Sequence, residues 1–238
     1  SGWNVNNDDA GLTTPWTYID VDTPIVANTP YYTMLQFNFD SVDTGLGTVV
    51  GGVTGWLNGS LIDTLPGAGR LFGHSGDIGI GAQDNASYFY DGPDTGEDHF
   101  YTGYMGELII SNIVYNTAQQ KIVNNYLAAK YGITIANDYY DHEVNYGYEL
   151  IGIGQDNTAN AHTIAQGAGA VRIDNPSDLD DGEYLMIGHS GDPLDWTATN
   201  VPESDPNIRR TERVWRADDR TDGIGTVRVG IELTRLEP

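Results

Sequence analysis

Residues 106–133 read GELIISNIVYNTAQQKIVNNYLAAKYGI and hold the one stretch with a helical period in a chain that is otherwise Gly- and Asp-rich strands and turns. Thr117 followed by Gln120 fits a capping box, in which the hydroxyl and the amide satisfy free N–H groups at a helix start. Ile122, Val123, Tyr126, Leu127, Lys130 and Tyr131 recur at the three- and four-residue steps of one apolar stripe, and Gly132 supplies a left-handed stop. The pattern predicts a helix over 118–131. One such helix after a run of strands reads as a structural lid, laid against the edge or end of a β-sandwich.

The strands around it follow from alternation and turn chemistry. YYTMLQFNFDS places Tyr32, Met34 and Gln36 on one face and Thr33, Leu35 and Phe37 on the other, so both faces are partly apolar, as in a sandwich strand. GWLNGSLI puts Asn58-Gly59 between two apolar arms, the strongest short hairpin signal, because both central residues of a type I′ turn need positive φ. Asn58-Gly59-Ser60 and Asn85-Ala86-Ser87 also fit the glycosylation pattern, but the turn accounts for the first. Further strands are expected at GDIGIGA and YMGELIISNIVY, separated by a long polar stretch, 84–102. A loop of that size points to binding.

After the helix, strands are predicted at 148–154, 168–174, 183–189, 211–217 and 225–233, with Gly, Asp and Pro turns and no helical period between them. With 238 residues the chain has room for two ordinary domains. The boundary is placed within 139–145.

Composition removes several functions. Eleven basic against 34 acidic side chains give a net charge of -23, which argues against a phosphate backbone as partner. There is no cysteine, so neither a disulfide nor a thiolate metal site is available. No apolar run reaches the roughly 20 residues of a membrane helix. Lysine occurs only at 121 and 130, and this excess of acid over lysine suits a secreted or salt-adapted surface protein.

Motifs for catalysis fail on spacing. GHSGD occurs at 73–77 and 188–192, but a nucleophile elbow needs G-x-S-x-G, and here Gly follows Ser directly. Each copy ends a strand-like run and reads as a turn closed by Asp. The five histidines lack zinc spacing. GIGQDN after YELI lacks the third glycine and the following helix of a dinucleotide loop. The E-x-D-x-x-E of β-sandwich glucanases is absent; ESDPNI begins correctly with Glu203 and Asp205 but ends on Ile208. The chain is therefore read as a non-enzyme.

Binding chemistry concentrates in one segment. Asp77, Asp84, Asn85, Asp91, Asp94 and Asp98 are candidate Ca²⁺ ligands, being short oxygen donors in Gly-rich loops. Tyr88, Tyr90 and Tyr101, with Asp91 and Asp94, are candidate ligand-binding residues, since rings stack on the apolar face of a sugar. The competing reading is that the aromatics alternate into a core and the acids solvate a loop. Arg209, Arg210, Arg213, Arg216 and Arg220 form a local basic cluster; pairing with neighbouring carboxylates is its first reading, and guanidinium stacking on Trp215 its second.

The segment FYTGYMGELIISNIVYNTAQQKIVNNYLAAKYGI resembles the closing strand and helix of laminin-G-like, concanavalin A-type jelly-roll domains of bacterial surface proteins, through Gly103, Glu107, Tyr115 and YLAAKYGI at 126–133. GWLNGSLI resembles the Asn-Gly hairpin of that family and IGIGA its preceding strand; the likeness covers about 30–133. YGYELIGIGQDN, DDGEYLMIGHSGD and RRTERVWRADD are similar to an uncharacterised β-module that follows such domains in large secreted adhesin-like proteins of Gram-negative bacteria.

The resemblance implies an all-β chain. Residues 1–138 would form a jelly roll with its closing helix, and its first strands would precede residue 1. Residues 139–238 would form a partial immunoglobulin-like β-sandwich. It further implies an extracellular or cell-surface location and a Ca²⁺-dependent adhesion role, with carbohydrate or another cell-surface ligand as partner and with neighbouring domains of the same long chain alongside. Nucleic acid and membrane insertion are not expected. A ligand-free structural spacer is the alternative, and a divergent polysaccharide-degrading enzyme stands third.

Overall fold

The computed structural model describes residues 2–6, 16–20, 25–43, 48–66, 80–81, 88–89, 92–93, 100–167, 170–203, 205, 207–220, 223–232 and 234. They fall into two compact units. Unit 1 comprises Ser1–Val26, Met34–Leu57 and Leu61–Val114, and unit 2 comprises Ala27–Thr33, Asn58–Ser60 and Tyr115–Pro238. As the sequence predicts, the described elements are mostly β-strands with few helices.

In unit 1, β1 (Gly2–Asn6) pairs antiparallel with β2 (Trp16–Asp20). The strands β3 (Thr33–Asp43), β4 (Thr48–Leu57) and β5 (Ser60–Pro66) form one sheet in that order, and β6 (Tyr88–Phe89) pairs with β7 (Gly92–Pro93). Leu35 and Phe37, the face picked out by alternation, pack with Ile62 and Leu65 on buried Val53. The Asn58-Gly59 turn has the two positive φ angles its sequence requires, 48° and 76°. The strand expected over 104–115 finds no ladder partner among the described residues, and its apolar side chains are exposed. Of GDIGIGA, only Ile80 and Gly81 are among the described residues.

Unit 2 carries α1 (Thr117–Tyr131) and α2 (Glu143–Tyr146). Its strands are β8 (Tyr148–Asn157), β9 (Asn160–His162), β10 (Ile164–Gln166), β11 (Val171–Asp174), β12 (Glu183–His189), β13 (Trp196–Thr197), β14 (Arg210–Thr211), β15 (Trp215–Asp219) and β16 (Arg228–Ile231). They assemble as a four-stranded sheet in the order β15-β12-β8-β9, a three-stranded sheet β10-β11-β16 and the pair β13-β14. The central strand β12 is buried along almost its whole length because both of its faces are covered. Leu185 and Ile187 meet Ile153, Val171, Ile173 and Ile224 in a core shared with the three-stranded sheet. Tyr184 and Met186, pointing the other way, meet Ala118, Leu150 and Tyr140, with Ile122 and Tyr126 of α1 against them.

The sequence places the helix as a lid on the strands before it; in the structure it packs on those after it, so it is one outer layer of unit 2. Its first turn explains part of the choice. The capping box is Asn116 with Gln119, one residue earlier than Thr117 with Gln120: Asn116 Oδ1 accepts from the Gln119 N–H at 2.9 Å and Gln119 Oε1 accepts from the Asn116 N–H at 3.0 Å. Asparagine caps as well as any residue, and Asn116 Nδ2 also donates to the Ala161 carbonyl of β9 at 3.1 Å, which ties the helix start to the sheet. Inside the helix, Asn125 donates to the Asn137 carbonyl and accepts from the Tyr139 N–H, both within 2.8 Å, and so fixes the chain that leaves the helix. Gly132 closes α1 at φ 64°.

The glycines of GIGQDN serve this packing. In the β8–β12 register Gly152 lies opposite Met186 and Gly154 opposite Tyr184. A Cβ at Gly152 would stand 2.2 Å from Met186 Sδ, and one at Gly154 would stand 2.1 Å from the Tyr184 ring. Two large side chains on one strand are thus received by two absent ones on its neighbour.

Candidate functional site

Most of the residues singled out for ion and sugar binding, Asp77, Asp84, Asn85, Tyr90, Asp91, Asp94 and Asp98, lie outside the described residues. Tyr88 contributes its backbone to β6, opposite Pro93. Tyr101 is exposed, and its N–H donates to the Gly81 carbonyl at 2.7 Å. Among the described residues, no three His, Asp or Glu side chains converge on a point that could hold an ion.

The second GHSGD copy is described in full and forms the best-defined polar cluster of unit 2. His189 ends β12, where a register shift between Ile187 and His189 sets it opposite Tyr148. Its side chain is buried, and its Nδ1 accepts the Gly191 N–H at 3.0 Å. Nδ1 therefore carries no proton, so Nε2 holds it and donates to Glu149 Oε2 at 3.0 Å. Burial first, and then the Arg213 charge, holds the imidazole below its ordinary pKa; the Glu149 hydrogen bond opposes them. Arg213 Nη1 stands 3.8 Å from the same carboxylate oxygen, and Arg213 Nε donates to the Asp192 carbonyl at 2.7 Å. The Tyr148 ring stacks on the imidazole, with centroids 5.9 Å apart.

Ser190 faces away from this pair. Its hydroxyl donates to Asp192 Oδ2 at 2.7 Å and accepts from the Val214 N–H at 3.2 Å, while its own N–H donates to the Val214 carbonyl. The serine and the histidine are thus hydrogen-bonded to different carboxylates, and Ser190 ties the end of β12 to Val214.

A shallow hollow opens beside His189, lined by Glu149, Ile151, Gly167, Val171, Ile187 and Trp215. Glu149 and nearby Ala170 hold φ of 46° and 74°, a region that costs a non-glycine residue about 1 kcal/mol or more. The lining is largely apolar, with Glu149 and His189 as its polar members. Nothing in the local sequence around Glu149 marks its part here. The available signals were a histidine ending a buried strand and an arginine inside TERVW, neither of which names its partner.

A second paired cluster of unit 2 centres on Asp174. Asp174, at the end of β11, accepts from Arg228 Nε at 2.5 Å and Nη2 at 2.8 Å and from Arg172 Nε at 2.8 Å. Arg228 first and Arg172 second hold its carboxyl at about 2. Within the basic cluster Arg213 and Arg220 meet carboxylates, Arg220 lying 3.3 Å from Asp141, whereas Arg210 donates to the carbonyls of Thr199 and Thr211.

A family model described as a domain of unknown function (DUF8202) matches residues 119–238, a span that opens within α1 and takes in all of the strands of unit 2. No curated protein and no solved structure matches the chain.

Proposed function

The chain belongs to the DUF8202 family of domains of unknown function, and from that premise we propose that it is a non-catalytic, extracellular binding and adhesion module of a large bacterial surface protein. Its ligand is a carbohydrate or another cell-surface group, held with the help of Ca²⁺. The observation that carries the reading is the row of aromatic side chains at 100–104: Phe100 and Tyr101 are exposed, and Tyr104 is fully so. Rings left in solvent directly after the acidic stretch 84–98 are the ingredients of ion-assisted sugar recognition. A ligand-free spacer is the second reading, favoured by the mutual pairing of the charged groups around His189 and Asp174.

Two measurements separate them. A glycan array probed with and without Ca²⁺ should give a Ca²⁺-dependent signal that the Asp91→Asn, Asp94→Asn, Asp98→Asn triple variant and Tyr101→Ala each weaken. A thermal melt of ion-stripped protein should rise with Ca²⁺ and not with Mg²⁺; a site filled to about a hundred times its Kd adds about 2.7 kcal/mol. An array silent in Ca²⁺ together with an unmoved melt would remove the adhesion reading and leave the spacer.

A further inference from the structure

We propose that Lys121 of α1 and Asp156 of β8 join in an intramolecular amide bond that staples the helix to the sheet. Lys121 Nζ donates directly to Asp156 Oδ1, and the two side chains are only 18 % and 24 % exposed. Two rings wall the pair: Lys121 Nζ lies 5.5 Å from the centroid of Tyr184 and 5.9 Å from that of Tyr139, and these rings are themselves stacked at 4.1 Å. The pair joins elements that already pack tightly, since the helix residues Ala118, Ile122 and Tyr126 lie on the same core as Tyr184 and Met186. Nucleophile and acyl carbon are thus held together by a rigid frame, the condition under which a slow bimolecular condensation becomes an intramolecular one.

The step balances without an oxidant or an added reactant. A proton passes from the Nζ ammonium to the Asp156 carboxylate, leaving an amine and a carboxylic acid. The Nζ lone pair adds to Cγ and forms the N–C bond. The hydroxyl then leaves as the C–O bond breaks, takes the second Nζ proton and departs as water. One amide and one water result. In a chain with no cysteine and only two lysines, this bond does what a disulfide would do. It closes a loop between positions 35 apart and keeps α1 from peeling off the sheet.

Intact-mass spectrometry of the full chain, with far-UV circular dichroism to confirm folding, tests the proposal. The expected mass is that of the sequence less one water, and tryptic digestion should yield a branched peptide joining residue 121 to residue 156, with no cleavage after Lys121. Lys121→Arg and Asp156→Ala, each folded, should return to their full sequence masses. A wild-type chain at its full sequence mass overturns the proposal. So does a chain that has lost water but gives only linear peptides and cleavage after Lys121, the pattern of a succinimide at an Asp-Gly step such as Asp181-Gly182.

Discussion

Two stretches of nearly the same chemistry have opposite fates. ELIISNIVY at 107–115 and EYLMIGH at 183–189 are both short apolar runs opened by a glutamate and closed by a polar ring. The second is β12, covered by α1 on one face and by β10-β11-β16 on the other, and Ile187 is 6 % exposed. The first has no ladder partner among the described residues, and Ile110 is 78 % exposed. Local pattern makes both runs strand-like. Burial comes from elements far away in sequence, which the pattern does not name.

Truncating the same residue type in each run is the strongest way to break this comparison. Ile187→Ala should cost about 3 kcal/mol, the usual price of emptying a packed site, whereas Ile110→Ala should change stability by about 0.5 kcal/mol or less. Urea unfolding of both variants decides it. Equal losses would mean that 107–115 is as deeply packed as β12. Gly154→Ala comes next: the added Cβ would stand 2.1 Å from the Tyr184 ring, an overpacking that costs about 2 kcal/mol. Tyr184→Ala in the same chain should recover part of that loss, because it removes the atoms in conflict; additive losses would show that the two positions do not meet.

The same contrast explains what was legible in advance. The β-rich class, the Asn58-Gly59 turn, the helix span to within one residue and the strand at 183–189 follow from local rules, since turn angles, period and caps are set by neighbours in sequence. The layer that the helix joins is not legible in the pattern: Ile122 and Tyr126 advertise an apolar face without naming Tyr184 and Met186 as its floor. The steric purpose of the glycines in GIGQDN is visible only in the register with β12. The His189–Glu149–Arg213 cluster was invisible because its members are brought together by a register shift and a left-handed Glu149. The acidic candidates Asp77, Asp84, Asp91, Asp94 and Asp98 lie outside the described residues, so their expectation stands as a proposal.

Covered and exposed regions should also differ in acid. Asp174 is held at about 2 against an ordinary 3.8, so its contribution is complete above 3.8 and is lost as pH falls through about 2. The loss of stability across that window should disappear in Asp174→Asn. His189 is depressed below 6.5, so the unfolded chain binds its proton first, and stability falls as pH drops below 6.5 toward the depressed folded value. An imidazole resonance followed by NMR should titrate below 6.5, and Glu149→Gln should lower its midpoint further, because the hydrogen bond that favours the charged ring is weakened. A midpoint above 6.5 would mean that the Glu149 charge outweighs burial.

The smallest effect sharpens the comparison at the helix that covers β12. Asn116→Ala removes both the cap of α1 and the amide that donates to Ala161, and should cost about 1 kcal/mol. Thr117→Ala, at the position the sequence pattern favours for the cap, should cost no more than a few tenths of a kcal/mol, because its hydroxyl is one residue too late to reach the first free N–H groups. Amide exchange along 117–131 reads the two variants separately: faster exchange confined to the first turn in Asn116→Ala alone keeps the cap where the structure has it. The reverse ranking would return the cap to Thr117 and shift the start of the layer over β12 by one residue.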